Sequence, residues 1–263
     1  MDREFLKSES AVSEVIGFIL IFIIVVLAIS AIYAVGYPTI QSSKENAQFQ
    51  NMEQSFMVLQ SNINTVAFGQ TPVRTLKTSL GGGSLTVYPS EYLTEEQITV
   101  KNGTTGIIWE GTIGAIEYEN NGRSIAYVGG GVWEKYPAGS AIKVSEPRIS
   151  VHEDNGNKTV SVSIINISSE NGISSVGGEG AASVTVRSKT SPYPLDIASF
   201  GDVGEDVDII VTSYYADAWG RYFNETIDPS MGTVVPGLGT VTATISNVNT
   251  LIVNEHVIEV EVS

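Results

Sequence analysis

The sequence predicts an α+β fold, in which a long N-terminal helix, transmembrane and then amphipathic, packs on a mainly antiparallel, β-rich outer domain. Three observations predict it. Residues 15–37 are apolar and uncharged, apolar residues at helical spacing continue to residue 66, and alternating strand patterns with turn signals fill the remainder. At 263 residues, the chain is long enough for one large domain or two smaller ones.

The first element is the apolar run VIGFILIFIIVVLAISAIYAVGY, residues 15–37. About 20 apolar residues suffice to span a bilayer as a helix, and a helix satisfies its backbone groups internally in lipid. The alternatives are a buried core helix and a removable secretory signal with Ala28 and Ser30 at its cleavage site. Such signals have apolar runs of about 7–15 residues and a basic leader, whereas the leader MDREFLKSES has three acidic and two basic residues. We therefore favour a retained transmembrane helix over residues 12–37.

Charges on the two sides of this run indicate its orientation. Arg3 and Lys7 lie on the N-terminal side, and most of the acidic residues follow the run. Because basic residues favour the cytoplasmic side, we expect a single-pass protein of the cell membrane with a cytoplasmic N-terminus and an extracellular C-terminal domain.

Beyond the membrane run, the helix is predicted to continue through residues 38–68, with a kink at Pro38. Apolar residues then alternate at spacings of three and four, which gives a helix one apolar stripe. We call this stripe the seam: Phe49, Met52, Phe56, Leu59, Ile63 and Val66. The outer half of the helix is expected to dock on the outer domain, while the inner half stays free.

Residues 69–263 form the predicted outer domain, and its clearest signal is a hairpin over IGAIEYENNGRSIAYV. Asn-Gly at residues 121–122 favours a two-residue turn. This register pairs Tyr118 with Ile125 and Ile116 with Tyr127 on one face.

Other stretches of the outer domain are typical of further strands, turns and one helix. Residues 154–156 predict a turn, NEHVIEVEVS predicts a final strand, and the Gly/Ser-rich residues 168–183 predict an exposed loop. SYYADAWGRYF predicts a helix whose aromatic residues share a face. That face is either core packing, which we favour, or an aromatic ligand platform.

Composition argues against several classes of function. The net charge of −15 repels phosphates, so we expect no nucleic acid partner. The chain has no cysteine and two histidines, and its glycine runs lack the Lys-Ser/Thr of a phosphate loop. GDVGEDVDI fits no calcium loop, so a solvated acidic turn is the favoured interpretation over a calcium site. We predict no catalytic residue, metal ligand or cofactor, and therefore no enzyme.

Sequons for N-glycosylation occur at four positions of the outer domain. An extracellular location would make glycans topologically possible there. The candidates are Asn102, Asn157, Asn166 and Asn224.

The stretch ESAVSEVIGF and the apolar run behind it resemble the N-terminus of archaeal type IV pilin-like proteins. Three stretches of the outer domain are similar to archaeal membrane proteins with pilin-type N-termini: SLGGGSLTVYP, IGAIEYENNGRSIAYVGGGVWE and IIVTSYYADAWGRYFNET. The resemblance implies that residues 1–11 are a leader, which a prepilin peptidase removes between Ala11 and Val12. The apolar helix would remain in the mature protein.

The resemblance also implies contacts between subunits. Bacterial pilins pair a glutamate slightly deeper in the helix with a neighbour's new amino terminus, so Glu14 is a candidate for this role, and an interfacial carboxylate is the alternative. This chain has Ala11 where glycine is more usual and Glu14 where many members have proline. Gly17 and Gly36 would permit close helix packing.

Two hypotheses for function follow. In the first, the chain is a pilin-like surface subunit whose partners are the membrane, the prepilin peptidase and copies of itself or other pilin-like subunits. In the second, the helix anchors a monomeric β domain that acts as a binding or adhesion module.

Overall fold

The computed structural model describes residues 5–69, 71–104, 106–189 and 195–263, with side chains from residue 15 onward. It confirms the α+β class and divides into two compact units, Met1–Gln50 and Asn51–Ser263. The helices are α1 (Phe5–Phe68) and α2 (Ala216–Thr226), and a 3₁₀ turn covers Ser90–Tyr92. The strands are β1 (Val73–Ser79), β2 (Ser84–Tyr88), β3 (Gln97–Asn102), β4 (Gly106–Thr112), β5 (Ala115–Asn120), β6 (Arg123–Val128), β7 (Gly131–Lys135), β8 (Ala141–Ser145), β9 (Ile149–Asp154), β10 (Asn157–Ser168), β11 (Ser174–Gly177), β12 (Ala181–Lys189), β13 (Asp196–Ser199), β14 (Glu205–Thr212), β15 (Gly232–Pro236), β16 (Thr240–Val248) and β17 (Thr250–Val262).

Helix α1 includes residues on the N-terminal side of the predicted range, and it runs to Phe68 as one helix, as predicted. The described part of α1 starts at Phe5, so the helix covers residues 5–11 as well as the predicted range from residue 12; none of residues 5–11 is glycine or proline. It also continues through Pro38.

The strands of the second unit form three sheets within the described residues. Sheet A has the order β1-β12-β17-β10-β9, with β13 also paired to β17. Sheet B has the order β11-β2-β5-β6-β7-β8, and sheet C has the order β15-β16-β14-β3-β4. Strands β10 and β17 are parallel, and the other described pairings are antiparallel.

The hairpin predicted from the Asn-Gly signal is confirmed in turn and register. Strands β5 and β6 pair Tyr118 with Ile125 and Ile116 with Tyr127. Asn121 and Gly122 have φ angles of 53° and 77°, the left-handed values that a type I′ turn requires. The β9–β10 turn repeats this chemistry at residues 155–156, with φ angles of 51° and 81°.

The Gly/Ser-rich residues 168–183 are not entirely a loop. Ser174–Gly177 form β11, which pairs with β2 at the edge of sheet B. The prediction was wrong there because an edge strand of four residues needs only one partner and shows little hydrophobic alternation.

The aromatic residues of α2 belong to the core, as favoured from the sequence. Trp219 is fully buried, and its ring centroid lies 4.4 Å from that of Trp133 on β7. The same hydrophobic cluster includes Val160 from sheet A and Ile209 from sheet C. All three sheets and α2 therefore share one core.

Candidate functional site: the two halves of the N-terminal helix

The inner part of α1 is an apolar surface. Its large apolar side chains over residues 15–37 are 44–73% exposed, and no charged residue lies among them. The helix is long and apolar enough to cross a membrane. In water, an exposed apolar surface of this kind is costly, so it is suited to lipid or to other apolar helices.

The residues singled out for processing and assembly all lie on this helix. Ala11, Val12 and Glu14 are helical positions of α1, but their side chains lie outside the described residues. A Cβ atom added at Gly17 or Gly36 would meet no described atom within 4 Å beyond the local helix backbone. Larger side chains therefore fit at both positions in the single chain.

The outer part of α1, from residue 51 onward, belongs to the second unit and is buried along the predicted seam. Met52, Phe56, Leu59, Ile63 and Val66 are each at most 2% exposed. Met57 and Val58, on the other side of the helix, are 43% and 48% exposed. The prediction that the chain covers this part of its own seam is confirmed.

Polar contacts fix this helical segment on the sheets. Gln60 is buried, and its amide nitrogen donates to the carbonyl oxygens of Gly130 and Glu146, each at 2.8 Å. The side-chain oxygen of Gln60, in turn, accepts a hydrogen bond from the Ser145 hydroxyl. A buried amide satisfied from three directions specifies one docking position, because a slipped helix would leave these groups unpaired.

Two further contacts lie along the same helix. Arg123 on β6 pairs with the buried carboxylate of Glu134 and reaches Glu53 of α1 at 3.6 Å. At the end of α1, the ring centroids of Phe68 and His256 are 4.4 Å apart. The guanidinium carbon of Arg148 lies 4.5 Å from the centroid of the Phe68 ring. The attachment therefore extends from residue 53 to residue 68.

The structure separates the four sequons into two groups. Asn157, beside the β9–β10 turn, and Asn224 on α2 are exposed. Asn102 is 4% exposed and donates to Glu205 at 2.6 Å, while Asn166 donates to Glu255 at 3.0 Å within sheet A. A glycan on either of the second pair would have to replace native contacts.

The acidic stretch over residues 201–209 uses its carboxylates in separate contacts. Glu205 accepts from Asn102, Asp206 accepts from the backbone of Asn247, and Asp208 accepts from Thr244. Among the described residues, no group of three or more acidic, histidine or cysteine side chains is arranged to hold a metal ion. The side chains thus stabilise sheet C.

The second unit also contains a pocket that no sequence motif indicated. This pocket of about 460 Å³ lies on sheet B, over strands β2, β5 and β6, and is bordered by residues 93–96 and by Tyr214 in the segment that joins β14 to α2. Glu96 and Glu117 are part of its wall. These two residues are distant in sequence and follow no recognisable spacing, so sequence patterns did not indicate them.

Comparisons with known proteins place the chain in a family. The model of a family of unknown function, DUF7289, matches residues 11–261. Two uncharacterised proteins of Archaeoglobus fulgidus are similar: one is 24% identical over 257 residues, covering 83% of this chain and 84% of the relative, and the other is 25% identical over 162 residues, covering 56% and 62%. No solved structure matches. Because the family model spans nearly the whole chain, the protein belongs to the DUF7289 family of unknown function.

Proposed function

We propose that this protein is a pilin-like structural subunit of the archaeal cell surface, anchored in the membrane by the inner part of α1. The observation that carries the proposal is the exposed, uncharged apolar surface of residues 15–37, which begins within the ESAVSEVIGF stretch of residues 9–18. The N-terminus would lie in the cytoplasm and the β-rich unit outside the cell.

In this proposal, a prepilin peptidase cuts between Ala11 and Val12, and the helix is retained. Released helices would then pack laterally by close van der Waals contact, since lipid supplies no hydrophobic drive between helices. Gly17 and Gly36 would allow close approach, and Glu14 would pair with the new amino terminus at Val12 of a neighbouring subunit.

A second candidate function is an anchored, monomeric binding module. The seam residues within the second unit favour it, because they are already buried within their own chain. The second unit, which would be the outer unit in this proposal, therefore needs no other subunit to cover its seam residues. The apolar helix would then serve only as an anchor.

Processing is tested by mass spectrometry of the mature protein from native cells. We expect a chain that starts at Val12, and Ala11→Arg should leave the leader attached because a bulky cation replaces the small residue. Ser8→Ala, in the leader but away from the cut, is the matched control and should be processed normally. A natural mature chain that still starts at Met1 would contradict the processing step.

Assembly is tested by shearing cells and locating the protein. Recovery in sheared filaments supports the pilin-like subunit, whereas recovery only with membranes favours the anchored module. Gly17→Leu should reduce the filament fraction without unfolding the outer unit, because a Cβ atom there meets no described atom within 4 Å beyond the local helix backbone. An unchanged filament fraction in this variant would argue against close packing at this position.

A further inference from the structure

The pocket on sheet B, over β2, β5 and β6, is lined by several carboxyl groups and by no basic side chain. Four glutamates contribute to its wall, namely Glu95, Glu96, Glu117 and Glu119, and none of its lining residues is lysine, arginine or histidine. The pocket therefore concentrates negative charge, and a protein with a net charge of −15 offers little to offset it.

One loop holds two of these carboxyl groups in place. The backbone N–H of Tyr214 donates to Oε1 of Glu96 at 2.8 Å, and the hydroxyl of Tyr215 donates to Oε1 of Glu117 at 3.0 Å. Ser124 lies 3.2 Å from the same tyrosine hydroxyl. The two acids are thus positioned by neighbouring residues rather than left as mobile surface side chains.

Glu96 is the unusual member of the group. It is 3% exposed, and its Oε2 atom has no hydrogen-bond partner among the described residues. Burial raises the pKa of Glu96 to about 7, with Ser213 and Tyr214 opposing the shift and Glu117 adding to it. Burial of this carboxyl group disfavours its charged form, and a positively charged group in the pocket would offset part of that cost by favouring ionised Glu96.

Lys135 is close to the pocket but does not fill this role. The Lys135 ammonium lies 3.2 Å from the centroid of the Tyr214 ring and donates to the carbonyl oxygen of Tyr214 at 3.0 Å. It lowers the pKa of Glu117, which burial raises overall. Lys135 lines the neighbouring cavity and is not among the residues of this pocket.

The remaining wall favours an organic cation over a metal ion. Tyr88, Leu93, Ala115, Ala126 and Tyr214 give the pocket apolar and aromatic surface. A hydrated divalent ion has no use for such surface, whereas an alkyl stem packs on it and a cation is attracted to tyrosine rings. The carboxylates of the described residues also do not form a group of three suited to a metal.

We propose that this pocket binds a primary ammonium or guanidinium group carried on an apolar stem, with Glu96 and Glu117 as its counter-charges. The same chemistry is offered by a free alkylamine and by a lysine or arginine side chain of a protein. This site does not depend on whether the protein assembles into filaments.

The test is a saturation-transfer NMR titration of the full chain in detergent micelles with butylammonium, and with butan-1-ol as its neutral isostere. We expect saturable binding of butylammonium alone. Glu96→Gln and Glu117→Gln should each weaken it about tenfold or more, because each removes a charge-assisted contact. Glu110→Gln removes a carboxylate from an exposed position outside the pocket and is the matched control. Circular dichroism verifies that each variant folds.

Two further arms identify the source and the class of ligand. A short peptide with one central lysine that binds more tightly than butylammonium indicates a protein side chain, and the reverse order indicates a free amine. Equal binding of butan-1-ol, or unchanged affinity in both glutamine variants, would overturn the proposal. Titration with calcium chloride tests a metal ion. If Ca²⁺ binds more tightly than butylammonium and its affinity falls in the Glu96→Gln variant, the assignment to an organic cation is overturned.

Discussion

At the scale of single residues, the environment of Glu96 makes the stability of the outer unit depend on pH. Burial holds the pKa of Glu96 at about 7 in the folded protein, against 4.5 as its ordinary value. Between these two values the folded state binds more protons than the unfolded state. Stability from this group is therefore fully present below pH 4.5 and is lost as pH rises to about 7.

This argument predicts the behaviour of Glu96→Gln. The free energy of unfolding of the variant, relative to that of the parent, should increase as pH rises from 4.5 to 7 and stay constant above pH 7. The total increase should be about 3 kcal/mol at most. The measurement is guanidinium unfolding in detergent micelles, followed by tryptophan fluorescence. The three tryptophans, Trp109, Trp133 and Trp219, all lie in the second unit, so the signal reports that unit. A difference between the two proteins that does not change with pH would disprove the buried-acid interpretation, and Glu110→Gln controls for loss of one negative charge.

Single residues also show what sequence can and cannot predict. The turn at Asn121 and Gly122 was predictable, because its chemistry is contained in two adjacent residues. The role of Glu96 was not, because the backbone N–H that holds it comes from Tyr214, 118 positions later in the chain. Burial of a charged residue depends on such distant contacts, and local patterns do not contain them.

At the scale of elements, α1 is one helix with two environments. The apolar pattern over residues 15–37 covers every side of the helix, and those side chains are exposed. From residue 51 onward the pattern narrows to one stripe, and that stripe is buried on the second unit. The change from an all-round apolar surface to a stripe was readable in the sequence because helical periodicity is local.

The seam predicts unequal effects for two adjacent substitutions. Phe56 is 1% exposed and Met57 is 43% exposed. Phe56→Ala should lower the free energy of unfolding of the outer unit by about 3–5 kcal/mol, because it leaves a cavity in a packed interface. Met57→Ala should change it by less than about 1 kcal/mol, and alanine keeps the helix propensity in both cases. Fluorescence-detected unfolding compares the two variants, and equal losses would mean that the seam contributes little.

Strand pairing marks the limit of prediction for elements. The final strand, β17, was predicted from the pattern of NEHVIEVEVS, but its parallel pairing with β10 joins residues about 90 positions apart. Nothing in either strand specifies its partner. The short strand β11 was missed because it has little hydrophobic alternation of its own and, among the described strands, pairs only with β2 at the edge of sheet B.

At the scale of the whole molecule, the division into two units falls inside α1, between Gln50 and Asn51. The residues after it include every described strand and the shared core. The helical segment of residues 51–68 is therefore part of the outer unit, although it is continuous with the apolar segment. Removing the apolar segment and removing the whole helix should have different consequences.

A chain that begins at Ser42 should be soluble, monomeric and folded, whereas one that begins at Thr71 should aggregate or unfold. The shorter chain lacks the buried seam of Met52, Phe56, Leu59, Ile63 and Val66, and it exposes the sheet surface that covered these residues. Burying each such side chain contributes about 1.5–3 kcal/mol, which is large against a total stability of about 5–15 kcal/mol. Light scattering and thermal unfolding measure the difference.

A peptide of residues 42–69 is the matched control for this comparison. Added to the chain that begins at Thr71, it should restore solubility and raise the unfolding temperature, because it supplies the missing seam and the Gln60 amide that pairs with Gly130 and Glu146. The same peptide with Phe56→Ala should restore less. If the two truncated chains instead unfold at the same temperature, the seam is not needed by its own domain. Its apolar side chains would then be available to a neighbouring subunit, which would strengthen the case for assembly through the outer half of the helix.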